Sequence, residues 1–121
     1  MVTLAIVIAT VAAVVISAAY YGAMPAVAES SAPPRSMVAV LIVEALRSLA
    51  VAALLAGLLA AAEWDGVAAG VLLGLSLWTI PVVLLIGSVF HEGVSARPAA
   101  FHAVDWLFKL VATGAIIGPF S

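Results

Sequence analysis

Residues 2–24 read VTLAIVIATVAAVVISAAYYGAM, without one charged side chain. As a helix rising about 1.5 Å per residue, a run of this length crosses the hydrocarbon core of a bilayer, roughly 30 Å thick. As a strand of a closed barrel it is about twice too long and does not alternate in polarity. Helix is therefore the reading, because in hydrocarbon each backbone polar group must be satisfied within its own segment. Pro25 ends the run. Ala26-Val27-Ala28 has the small-residue form of a signal-peptidase site, but no basic segment leads the run, and its apolar part exceeds the usual 7–15 residues. It is read as a retained first span.

The same pattern recurs along the chain. Further apolar runs cover residues 37–62, 66–90 and 100–118, the third with Pro81 inside it and the fourth stopped by Pro119. Between them lie a proline-rich connection at 25–36 (PAVAESSAPPRS), a tight turn at Glu63-Trp64-Asp65, and a loop at 91–99 (HEGVSARPA). Composition agrees. Of 121 residues, 67% are hydrophobic and 8% charged, against about 45–50% and about 25% in soluble domains. The expected fold is an all-α membrane protein, a single domain of four transmembrane helices in an antiparallel bundle. Its first partner is the lipid bilayer.

Several function classes fall away. Without cysteine there is no thiolate nucleophile, thiolate metal site or disulfide. Four basic residues against six acidic ones make no nucleic-acid footprint. There is no P-loop and no serine in a G-x-S-x-G turn, and His91-Glu92 is followed by Gly93, Val94 and Ser95 rather than completing H-E-x-x-H. His91, Glu92, His102 and Asp105 fall near one surface, but neither a metal nor another cofactor is expected, and enzyme chemistry is the weakest class.

Four spans put both termini on one side with Glu63 and Asp65, and Arg35 with Arg97 on the other. The positive-inside rule then places the arginines in the cytoplasm and the termini outside. Tyr20, Tyr21, Trp64, Phe90 and Phe101 fall near the expected interfaces, where aromatic rings anchor. Trp78 lies deeper, to pack or to wall a pocket beside Pro81, which is expected to kink its helix.

Gly66, Gly70 and Gly74 recur every four residues on the third run, as do Ala5, Ala9, Ala13 and Ser17 on the first. Small residues let helix backbones approach closely in lipid, where burial from water no longer drives association. The glycine face is either packing within one chain or the face of an oligomer.

The polar exceptions gather. Glu44, Arg47 and Ser48 share a face of the second run, and His102, Asp105, Lys109 and Thr113 form a stripe on the fourth. Counted from Met37, Glu44 lies about 10 Å deep and Arg47 about 15 Å; counted from Ala100, Asp105 lies about 8 Å and Lys109 about 14 Å deep. Both helices run the same way, so the groups overlap in depth. Four isolated charges at that depth would cost on the order of 10 kcal/mol, whereas two acids and two bases can neutralise one another. The expectation is a buried polar network between helices two and four. It serves either as a paired latch that fixes register or as a hydrated pocket for a polar solute or protons, with His102 a candidate relay.

The order of landmarks resembles a known family. The first span ends in Tyr20-Tyr21-Gly22, residues 70–78 read GVLLGLSLW, Phe90-His91-Glu92-Gly93 follows, and residues 101–118 read FHAVDWLFKLVATGAIIG. These resemble the small bacterial membrane-protein family called domain of unknown function 1761. The likeness covers nearly the whole chain and is strongest over Gly66–Gly118; in the first span the family more often shows a Trp-Tyr pair. The resemblance implies four spans in a bacterial inner (plasma) membrane and supplies no activity or site residues. From the polar network of Glu44, Arg47, Asp105 and Lys109, function is expected to be small-solute or proton-coupled transport or binding, by a homo-oligomer. The alternative is a non-catalytic accessory or scaffold subunit that docks a membrane-protein partner.

Overall fold

The computed structural model describes residues 1–23 and 36–120. It contains four long helices, α1 (Val2–Ala23), α2 (Met37–Ala62), α3 (Val67–His91) and α4 (Ala96–Ile117), with a short 3-10 turn at Gly118–Phe120. All four are long and apolar enough to cross a membrane, and the chain is an integral membrane protein built as an antiparallel bundle. Its outer surface is a belt of exposed aliphatic side chains, such as Val15, Leu46, Leu72 and Leu84. Hydrocarbon is the solvent that suits such a belt. Pro25 and most of the first connection, Arg35 included, lie outside the described residues.

Local chemistry sets the helix ends. Ser36 caps α2 by accepting a hydrogen bond from the Ala39 N–H at 3.1 Å. At the other end Glu63 adopts a left-handed conformation (φ 57°), and the Trp64 N–H turns back to the Leu59 carbonyl at 3.0 Å. The chain then re-enters the membrane through Gly66, whose φ of 93° suits glycine. The fourth helix starts at Ala96 rather than near residue 100. Pro98 stands third in that helix, where the N–H it lacks would have had no helical partner, so it opens the helix instead of delaying it. Residues 92–95 alone connect α3 to α4. α3 runs unbroken through Pro81, whose missing N–H leaves the Leu77 carbonyl without its usual donor.

α4 is the least apolar of the four spans and the most buried, because it packs against all three others. α1 lays Ala5, Ala9, Ala13 and Ser17 inward. The first two of these form a core with Ala52, Ala56 and Leu59 of α2 and Ile117 of α4. On the opposite side α3 meets α4 backbone to backbone. A methyl on Gly70 would collide with the Gly114 carbonyl, one on Gly74 with the Leu110 carbonyl, and one on Gly118 with the Gly66 carbonyl. The Gly66 N–H also donates to the Gly118 carbonyl at 2.8 Å. α2 and α3 scarcely touch, which leaves a groove between them with α4 as its floor.

Candidate functional site

The polar residues of three helices converge in the half of the bundle nearest the 92–95 loop. Lys109 of α4 is buried, and its ammonium bridges two carboxylates. It contacts Glu44 Oε1 of α2 and lies 3.1 Å from Asp105 Oδ2, one turn back on its own helix. A hydroxyl supports each acid. Ser48 Oγ donates to Glu44 Oε1 at 3.3 Å, and Ser17 Oγ of α1 lies 3.0 Å from Asp105 Oδ1 and 3.4 Å from Glu44 Oε1. Among the described residues no buried side-chain oxygen or nitrogen lacks a hydrogen-bond partner. Such completeness is what makes charge at this depth tolerable, since an unpaired buried ion is far more costly than a paired one.

Arg47 is held differently. Its Nη1 lies 3.7 Å from Glu44 Oε2, beyond a tight hydrogen bond, and its side chain is 52% exposed. The guanidinium sits 5.0 Å from the Trp106 ring centroid, and the Lys109 ammonium is 4.4 Å from the same ring. The negative face of an indole attracts both cations. Because side chains lean toward the N-terminus of their helix, Arg47 reaches back toward the level of Glu44 and the nearer membrane surface.

Above the triad, toward that surface, lies an aromatic layer. The Tyr21 hydroxyl pairs with His102 Nδ1 at 2.6 Å. Tyr20 stacks on Phe101, with ring centroids 4.1 Å apart and planes 12° from parallel. These contacts fasten the end of α1 to the start of α4. Tyr21, His102, Arg47 and Trp106 wall one side of a cleft of about 400 Å³, and Pro81, Leu84 and Leu85 of α3 wall the other. Trp78 is not in that wall; its indole N–H donates to the Ala103 carbonyl at 2.7 Å and ties α3 to α4.

The structure thus brings together Glu44, Arg47, Ser48, Asp105 and Lys109, with His102 one layer above. Thr113 is buried one turn beyond Lys109 on the same helix. Gly70 and Gly74 are covered by α4 within this chain, and the Gly66 N–H holds the Gly118 carbonyl just past the end of α4. His91 and Glu92 are exposed at the end of α3, in neither the triad nor the cleft wall.

Three contributors escape a sequence reading of the network. Ser17 continues an alanine ladder and looks like a packing residue, yet the spacing that turns Ala13 inward turns Ser17 onto Asp105. Tyr21 reads as an interfacial anchor, and Trp106 as one more apolar residue. The one sequence signal for Trp106 is its position between Asp105 and Lys109.

A family model described as Protein of unknown function (DUF1761) matches residues 4–118, and the chain belongs to that family. No curated protein and no solved structure matches it.

Proposed function

We propose that the chain binds a small organic anion inside the membrane and moves it together with a proton. The observation that carries this reading is the cleft of about 400 Å³ in which Arg47, half exposed, stands beside the closed Glu44–Lys109–Asp105 triad. That volume falls in the lower part of the range for small-molecule pockets, about 300–1,000 Å³.

Charge balance supplies the coupling. Glu44 and Asp105 carry two negative charges, Lys109 and Arg47 two positive ones. An anion placed on Arg47 leaves one negative charge in excess, which insertion scales put at about 2.5–3.5 kcal/mol near mid-bilayer. A proton taken up with the anion removes that excess. The acceptors facing the cluster are Glu44 from α2 and His102 and Asp105 from α4; Tyr21 faces it from α1, and the α3 wall contributes no titratable group. A hydrated pocket, rather than a latch alone, explains why Arg47 is not drawn fully into the ion pairs.

The test is lumenal pH in vesicles that carry the protein and a trapped pH dye. External carboxylates from acetate to decanoate, and inorganic phosphate, are added in turn. At least one carboxylate should drive proton entry faster than in protein-free vesicles, with the excess lost in Glu44→Gln; a response to phosphate alone would overturn the organic anion. If none exceeds the protein-free rate, the transport reading fails.

Assembly and orientation belong to the same proposal. A second cavity, of about 330 Å³, lies along α2, and among the described residues its lining is Ala39, Val40, Val43, Glu44 and Arg47. A second copy in a homo-oligomer would cover them. The positive-inside rule sets the termini extracytoplasmic in a bacterial plasma membrane. The chain has no cysteine, so single replacements report cleanly. Asp65→Cys should react with an impermeant maleimide on intact cells and Ser95→Cys only after lysis; the reverse pattern would invert the orientation. A scaffold role gains no comparable support, because the glycine ladder it would use is occupied by α4.

A further inference from the structure

The cleft beside Arg47 is one end of a longer groove. A second cavity, about 310 Å³, continues it along the gap between α2 and α3. The two share Pro81, Leu84 and Trp106 in their walls. The polar end holds Arg47, Tyr21 and His102. Beyond Trp106 the lining becomes aliphatic, with Leu54 of α2, Leu77 of α3 and Leu110 of α4. From Arg47 to Leu54, or from Leu85 to Leu77, the groove runs about 10–12 Å along the helix axes.

We propose that this groove takes a single-chain anionic amphiphile, a medium-chain fatty acid, with its carboxylate on Arg47 and its alkyl chain between α2 and α3. The proposal rests on the organic-anion reading above and names the substrate class. Charge and depth carry it. A guanidinium presents paired donors that match a carboxylate, and here it lines the polar cavity that adjoins the aliphatic one. Because the gap is scarcely bridged by α2–α3 contacts, the ligand enters sideways from the hydrocarbon. The tail lies deeper than the head, toward the opposite leaflet. A phospholipid of the nearer leaflet, whose phosphate stays at the surface, fits that arrangement poorly. The tail gains little by leaving lipid for a protein groove, since both are equally apolar. Recognition therefore resides in the head, and the tail sets only what fits.

Trp106 lies where the cavities join and reports occupancy. In nanodiscs of neutral phosphatidylcholine, decanoate brominated on its tail should quench tryptophan emission saturably. The saturable part should disappear in Trp106→Phe and weaken at least tenfold in Arg47→Gln. Because Arg47→Gln can disturb folding, Leu54→Phe, which adds bulk at the tail end away from the ions without adding an emitting indole, provides a second test and should weaken saturation at least fivefold. Equal quenching by brominated decanol would overturn recognition of the head. Full displacement by equimolar acetate would overturn the tail. Displacement by phosphatidylglycerol built into the nanodisc would assign the groove to an anionic phospholipid and overturn the proposal. Absence of quenching while a short carboxylate still drives proton entry removes the amphiphile and keeps transport. Saturable quenching with no proton entry keeps the amphiphile and removes transport.

Discussion

α4 makes two contacts of opposite kind. Toward α3 it offers Gly114 and Gly118, where backbone meets backbone and side chains are excluded. Toward α1 and α2 it offers Asp105 and Lys109, where contact is made by ions and hydroxyls. Asp105 and Gly114 are nine positions apart, which at 3.6 residues per turn places them on opposite sides of the helix. Lys109 and Gly118 repeat the relation. In lipid, helices are joined by close packing or by polar contacts, and this chain uses one on each face of its central helix. The glycine face holds because nothing protrudes. The ionic face holds only while each charge has its partner, so the two should fail differently.

The largest effect is expected at the ions. Lys109→Ala leaves two carboxylates facing each other in the bundle, and removing one partner of a buried pair costs about 3–5 kcal/mol. Adding Glu44→Gln to Lys109→Ala removes one of the stranded charges, leaving Asp105 with Ser17, and should recover part of that loss. Reversible unfolding in mixed micelles measures all three proteins. If the double variant is as unstable as Lys109→Ala, or more so, Glu44 and Lys109 are not coupled and the ionic face is misdescribed.

On the glycine face the prediction is one of sign. Gly70→Ala drives a methyl into the Gly114 carbonyl, which belongs to backbone and cannot swing aside. Overpacking of this kind costs about 1–3 kcal/mol. A methyl added at Gly57 of α2 would meet nothing within 4 Å, so Gly57→Ala should instead stabilise, by about 0.5–1 kcal/mol, through the ordinary helical preference for alanine. The same unfolding assay decides. Equal destabilisation by both would mean that glycine serves a general role here rather than close approach at one face.

The two faces are not equally legible in the sequence. The spans follow from the length of four apolar runs, two of them free of charge, and the Gly66–Gly70–Gly74 period is plain. Its partner is Gly114–Gly118, the same four-residue spacing on α4, and nothing local says which helix a glycine ladder will meet. Glu44 and Lys109 can be matched by depth, because an ion in hydrocarbon must find its opposite at the same level. Sequence puts the start of α4 about four residues late because apolarity marks only the membrane-crossing run, whereas the helix begins earlier, within HEGVSARPA, where a proline in the first turn is no break. What sequence hides most is residues whose role depends on direction rather than type. Ser17 sits among alanines, and Trp106 among leucines and phenylalanine. Only the rotation of α1 and α4 about their axes turns the first toward a carboxylate and the second beneath two cations.

The smallest effect sharpens the comparison most. Tyr21 and His102 form a hydrogen bond at the rim of the ionic face, 2.6 Å long and partly buried. Tyr21→Phe removes the hydroxyl and keeps the ring, which packs edge-on against Phe101 with centroids 4.9 Å apart. Polar contacts between membrane helices are worth about 0.6 kcal/mol on average, because the unfolded chain in lipid finds other partners. A stability loss of that size, with the helix content unchanged by circular dichroism, is the expected result. It would mean that the ionic face draws its strength from the Lys109 triad and that the aromatic rim is free to serve the cleft. A loss as large as that of Lys109→Ala would instead make the rim part of the latch, and the layered description of this face, closed ions below and an open cleft above, would have to be given up.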